Sequence, residues 1–126
     1  MDGVLISADE TFRIRGALIE VSNVIGHGFL EAVYHECVAL ELTARGIPFR
    51  AMPELQLTYK GAQLRQTFIP DFVCCESIIL ELKAVRQLDA AHRAQVFNYL
   101  KATGLRVGLL ANFGQAGRIE IERVVL

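Results

Sequence analysis

Long apolar runs are missing from this sequence. Segments such as Ile78-Ile79-Leu80 and Val107-Gly108-Leu109-Leu110 are short, whereas a membrane-spanning helix needs ~20 consecutive apolar residues. No basic stretch followed by an apolar one opens the chain, so nothing reads as a secretory signal and a cytoplasmic location is expected. Cysteine is scarce. Cys37, Cys74 and Cys75 form an odd set without C-x-x-C spacing, which argues against a disulfide framework or a zinc site and leaves packing as their expected role. Net charge is nearly absent as well: 13 Lys and Arg against 14 Asp and Glu leave −1. The whole molecule is therefore no electrostatic magnet for nucleic acid, unless carboxylates that bind metal ions leave the remaining surface positive. Linkers, repeats and biased segments are lacking too.

What is present is apolar. The 126 residues are 52% hydrophobic and 21% charged, with a mean hydropathy of +0.34, which excludes a disordered chain. That length suits a single domain over residues 1–126, which buries about two thirds of the surface its unfolded chain exposes.

Ser7-Ala8-Asp9-Glu10 matches the S-x-x-E capping box, and Ile14, Leu18, Val21 and Ile25 recur at helical spacing, predicting a helix over 8–25. Gly26-His27-Gly28 interrupts it. Phe29, Val33, Cys37, Leu40 and Ala44 predict a second helix, ended by Arg45 and Gly46. Beyond Pro48 the period becomes two. Leu55, Leu57 and Tyr59, a turn at Lys60-Gly61, then Leu64, Gln66 and Phe68 predict a hairpin. Extended runs over 69–75 and 78–84 follow, around Glu76-Ser77. Asp89 is placed to cap a helix over 90–103 closed by Gly104, and strands are expected over 105–111 and 119–126. The order is helix, helix, three antiparallel strands, helix, strand, strand, a mixed α/β arrangement.

The informative anomaly is charge inside the most apolar segment. In Ile79-Leu80-Glu81-Leu82-Lys83, strand alternation puts Glu81 and Lys83 on one face, about 7 Å apart, with Leu80 and Leu82 on the other. Asp71 lies on the preceding strand. It shares that face only if the connection holds an odd number of residues; a two-residue loop at Glu76-Ser77 would turn it away, unless a bulge intervened. Two carboxylates converging from adjacent strands suit a hard cation, naturally Mg²⁺. A lysine two residues on can orient or deprotonate a water and offset charge building at phosphorus. The combination suits phosphodiester hydrolysis. The competing reading is a buried structural ion network or an exposed sheet face.

Pro70-Asp71 followed by Glu81-Leu82-Lys83 resembles the PD-(D/E)XK motif of the restriction-endonuclease-like nuclease superfamily, whose αβββαβ core has this element order. Gly28-Phe29-Leu30-Glu31-Ala32-Val33-Tyr34 resembles the signature of the small GxxExxY proteins, a branch of that superfamily. The resemblance extends through Glu81–Val85, His92–Gly104 and Val107–Gly114. It implies a restriction-endonuclease-like fold, a mixed central sheet flanked by helices. It also implies a Mg²⁺-dependent nuclease, with Mn²⁺ as substitute ion, DNA as substrate, RNA as the alternative, and a metal-activated water as nucleophile.

By the same resemblance, Asp71 and Glu81 are metal ligands joined by the Leu82 backbone carbonyl, Lys83 is the catalytic lysine, and Glu31 is the additional acidic residue seen in several branches. Gln95 and Tyr99 resemble the Q-x-x-x-Y element of recombination helicase–nucleases, and their i, i+4 spacing puts them on one helix face, where they would position DNA or the lysine. Tyr34, Arg86, His92 and Arg93 are the expected nucleic-acid contacts. His27 and His35 show no ligand spacing. One departure is that relatives commonly have Gly-Pro-Gly where this chain has Gly26-His27-Gly28. A chain this small has little surface for a duplex, which a homodimer would supply; the alternative is a non-catalytic module that binds nucleic acid or protein on the same fold.

Overall fold

A computed structural model describes residues 7–126. The elements in chain order are α1 Ala8–Ile25, α2 Glu31–Ala44, β1 Phe49–Ala51, β2 Leu55–Tyr59, β3 Ala62–Phe68, β4 Phe72–Cys74, β5 Ile78–Lys83, α3 Ala90–Thr103, β6 Val107–Asn112 and β7 Glu120–Val125. Five strands form a mixed sheet in the order β1-β4-β5-β6-β7. β5 and β6 run parallel, joined by the α3 crossover, and the other neighbours are antiparallel.

The two faces of the sheet are covered by different helices. Ile78, Leu80 and Leu82 of β5 pack with Val107 and Leu109 of β6 against Ile14 and Leu18 of α1 and Val38 and Leu42 of α2. On the other face Ile79 and Leu110 meet Val96 and Leu100 of α3. Burial on both faces explains why β5 and β6 read as almost unbroken apolar runs, as central strands do. A carboxylate within such a strand is desolvated by its position alone.

The register decides which side chains share a face. β4 and β5 pair Phe72 with Leu80 and Cys74 with Ile78 across the three-residue connection Cys75-Glu76-Ser77. The connection is odd in length. Continuing the register by one residue sets Asp71 opposite Glu81, so the two acids share a face. Cys75 and Glu76 both take positive φ, 56° and 52°, which lets three residues close the turn.

Four features differ from the sequence reading. Ser7 does not form a capping box: it sits at φ 58° and ψ 30° with no side-chain cap, because a capping side chain reaches the first turn only from extended backbone. The second helix begins at Glu31, and its buried stripe is Tyr34, Val38 and Leu42. Phe29 and Leu40, assigned to the apolar face, are 49% and 67% exposed. Apolar residues occur around most of this helix, so spacing alone does not select the phase. The short edge strand β1, too brief for a visible alternation, pairs with β4. The hairpin β2–β3 forms, but as a separate two-stranded sheet rather than as part of the central one.

At α3 the reading and the structure coincide. Asp89 accepts the N–H groups of Ala91 (2.9 Å) and His92 (3.1 Å), and Gly104 closes the helix at φ 76°. Leu80→Ala, at a fully buried position in the middle of the sheet, should lower stability by about 2–5 kcal/mol in denaturant titration. Tyr59→Ala, at a position 63% exposed in the hairpin, should stay within about 0.5 kcal/mol of the parent.

Candidate active site

Asp71 and Glu81 hold each other's strands. The Asp71 N–H donates to Glu81 Oε1 at 2.7 Å, and the Leu82 N–H donates to Asp71 Oδ2 at 2.7 Å. The reciprocal bonds begin where the last β4–β5 residue pair ends, so the carboxylates continue the ladder past Phe72 and Leu80. On the other side the Asp71 carbonyl accepts the Met52 N–H at 2.8 Å. Both acids are thereby set by backbone, with Lys83 two residues beyond Glu81.

The electrostatics of this cluster are unbalanced. Burial, reinforced by the Asp71 charge, pushes the Glu81 carboxyl up from its ordinary 4.5 to about 8. Asp71 is also raised by burial, against the lowering effect of the Leu82 N–H, His35 and Lys83. Glu31 is raised too, by burial first, with Lys83 opposing and Asp71 adding. Three acids thus lie within reach of Lys83, and that one ammonium does not offset them. A divalent cation would supply the missing positive charge. Among the described residues no group of three or more His, Cys, Asp and Glu is set to enclose a metal ion. Two convergent carboxylates do not make a closed tetrahedral zinc site. They fit a hard octahedral ion that keeps several of its waters.

Glu31, in the first turn of α2, lines a cleft of about 280 Å³ with Ala32, His35, Met52 and Asp71. Gln95 Nε2 donates to the Tyr99 hydroxyl at 3.0 Å, and the Tyr99 ring stacks on Phe68 at 4.9 Å. Burial raises the Tyr99 hydroxyl, and the Glu81 and Asp71 charges add to this, which places α3 alongside the carboxylates. Arg86 is exposed on the loop after β5. His92 uses Nδ1 to accept the Asp89 N–H at 3.0 Å and so completes the α3 cap. Arg93 grips Glu122 on β7 through Nε and a terminal nitrogen, at 2.7 and 2.9 Å. Tyr34 requires a correction. It is fully buried, with its ring stacked on Phe113 at 4.4 Å, and cannot touch nucleic acid.

Two residues at the site were not singled out from the sequence. His35 Nε2 lies 3.2 Å from the Asp71 carbonyl oxygen and 4.0 Å from Oδ1, with its ring stacked on Phe72 at 4.3 Å. Its position one turn after Glu31 was the available signal. Asn112, opposite Lys83 in the β5–β6 register, is fully buried. Its Oδ1 accepts the N–H groups of Val85 and Gly114, both at 3.0 Å, and its Nδ2 donates to the Val85 carbonyl at 2.9 Å. The chain leaving Lys83 is therefore clamped, and Gly114 packs so closely that a Cβ there would collide with the Val85 backbone. The signal was a polar residue ending an apolar run. A larger cavity, about 770 Å³ between α1 and the β6–β7 loop, is lined by Arg15, Asn23 and Arg118 and by none of the candidate site residues. It is a separate feature.

A family model described as the PD-(D/E)XK nuclease superfamily matches residues 8–124. The chain belongs to this superfamily. Among solved structures, the crystal structure of a protein named SSO0001 matches with a TM-score of 0.60 at 16% identity, covering 96% of this chain and 60% of that one. At that identity the likeness concerns the fold, the mixed sheet with its flanking helices. No curated protein matches the chain. No helix among the described residues is long and apolar enough to cross a membrane.

The raised Glu81 carboxyl makes a prediction with a definite sign. In metal-free protein the folded state keeps a proton up to about pH 8 that the unfolded chain releases near 4.5, so folding stability falls as pH rises through that window. Glu81→Gln removes the effect. In thermal denaturation with chelator, its gain in Tm over the parent should be small at pH 5 and reach several degrees at pH 8, since about 1 kcal/mol moves a domain of this size by a few degrees. An equal gain at both pH values would contradict the assignment.

Proposed function

We propose that the chain is a divalent-metal-dependent nuclease that hydrolyses phosphodiester bonds of DNA, and that within its superfamily it falls in the GxxExxY branch. The observation that carries this reading is the register that sets Asp71 opposite Glu81 and leaves Lys83 two residues beyond, in a superfamily of nucleases. The Gly28, Glu31 and Tyr34 spacing supports the branch. Single-stranded and duplex DNA offer the same scissile group, as does RNA, and these three side chains suit any of them.

In this reading Asp71 and Glu81 hold Mg²⁺, or Mn²⁺ in its place, with the Leu82 carbonyl as a further oxygen donor. When bound, the ion supplies charge that activates a water and stabilises the phosphorane-like transition state. Lys83 places its ammonium beside the attacked phosphate, orients the attacking water and offsets the negative charge that builds on the non-bridging oxygens. Glu31 contributes a third acidic group at the mouth of the cleft. Gln95 and Tyr99, joined to each other and packed on Phe68, orient Lys83 or the sugar–phosphate chain. Arg86 meets a phosphate from the loop after β5.

Lys83→Ala should abolish Mg²⁺- or Mn²⁺-dependent cleavage of single- and double-stranded DNA, by about 10²-fold or more, while leaving metal affinity and thermal stability close to the parent. Gel-based cleavage and calorimetry on the same preparations test this. A Lys83→Ala protein as active as the parent would remove the lysine from the mechanism, and a parent that cleaves none of these substrates with either ion would remove the nuclease reading.

A further inference from the structure

One member of the Gly28–Glu31–Tyr34 spacing has no place in the chemistry above. Tyr34 is sealed from solvent, yet its polar end is used twice. Its hydroxyl donates to the Gly26 carbonyl at 2.7 Å and accepts the Phe29 N–H at 3.2 Å. Those two backbone groups bracket the break between α1 and α2. Gly26 at φ 74° and Gly28 at φ 104° both lie in the region that favours glycine, so the break is built from the two most permissive residues available. Left alone, it would set the start of α2 loosely.

The usual device for fixing a helix start is absent here. The N-cap residue of α2 is Leu30, which makes no side-chain cap, while the first N–H groups of a helix need partners from outside it. The Tyr34 hydroxyl acts one step earlier: it reaches back to take the N–H of Phe29, the residue before that N-cap, and so fixes the chain entering the helix. Its ring is anchored on the opposite side. It lies flat on Phe113, 4.4 Å away and 12° from parallel, and the Phe113 N–H donates to the Lys83 carbonyl at 2.8 Å. A continuous set of contacts therefore runs from Lys83 through Phe113 and the Tyr34 ring to the loop that launches Glu31.

We propose that Tyr34 is a positioning residue, which fixes the first turn of α2, and Glu31 on it, against the end of the sheet that carries Asp71 and Lys83. The inference rests on the reading of Glu31 as part of the metal-dependent site. It gives the Gly–Glu–Tyr spacing a division of labour: Gly28 permits the backbone turn, Glu31 faces the cleft, and Tyr34 holds the turn in place. The tyrosine works from inside the core, through its hydroxyl, and not as a contact to substrate.

Tyr34→Phe separates the two functions of the side chain, because it keeps the stacked ring and deletes only the hydroxyl. Amide hydrogen exchange should quicken over residues 26–33 with β5 and β6 still protected; unchanged exchange over 26–33 would overturn the proposal. Calorimetric titration with Mn²⁺ then tests the link to Glu31. Tyr34→Phe should weaken Mn²⁺ binding by about 10-fold, the lower end of the effect of removing a group that orients a metal-site ligand. In a Glu31→Gln background the same substitution should have no further effect. A loss equal in both backgrounds would mark Tyr34 as a core residue only and would overturn the proposal. A parent protein that binds no Mn²⁺ would remove the metal reading, and the exchange experiment alone would then decide whether Tyr34 holds the turn.

Discussion

The arrangement depends on one pair of hydrogen bonds. Asp71 gives its N–H to the Glu81 carboxylate, and takes the Leu82 N–H on its own. Each acid thus completes the backbone pairing of the other's strand, so neither can swing out without breaking the end of the β4–β5 ladder. Each carboxyl group therefore keeps a backbone N–H partner in this partly buried place, and the bond strengthens when the group is ionised, since charge-assisted bonds are stronger than neutral ones. The geometry is set by the protein's own backbone, the kind of preorganisation that the proposed metal-dependent chemistry requires.

That arrangement opposes stability. Desolvation raises both Glu81 and Asp71, and the Asp71 charge raises Glu81 further; a sheet built only to fold would carry apolar residues there. The surrounding structure compensates by rigidity. Asn112 spends both ends of its amide on the chain just beyond Lys83, Gly114 allows that chain to pack closely, and His35 braces Asp71 from α2. Lys83 and His35 only partly counter the burial of these acids, and this is what favours the proposed cation site over a satisfied ion network.

Much of this was legible in the residues. The end of α1 at the Gly26 break, the hairpin turn at Lys60-Gly61 and the Asp89 cap follow from local rules, and the alternation in Ile79–Lys83 placed Glu81 and Lys83 together. The shared face of Asp71 hinged on the parity of one loop, which the sequence posed as a condition and the Cys75-Glu76-Ser77 turn satisfies. What escaped was long-range. His35 meets Asp71 across 36 residues of sequence, and Tyr34 is buried because a carbonyl from the end of α1 and a ring from the end of β6 await it. No local pattern announces such partners. The phase of α2 was lost for a related reason, since Val33 and Cys37 make as good an apolar stripe as Val38 and Leu42 until the tyrosine is placed. The failed cap at Ser7 was a matter of backbone conformation, which composition does not encode.

The central claim is that Asp71 and Glu81 form a metal-binding pair. Its most direct test is calorimetric titration of Mg²⁺ and Mn²⁺ into the parent protein and into Asp71→Ala. The account predicts binding by the parent, with Mn²⁺ the tighter of the two, and its loss in the variant while the fold is retained. Absence of metal binding by the parent, or binding unchanged in Asp71→Ala, would mean that the carboxylates serve the sheet alone.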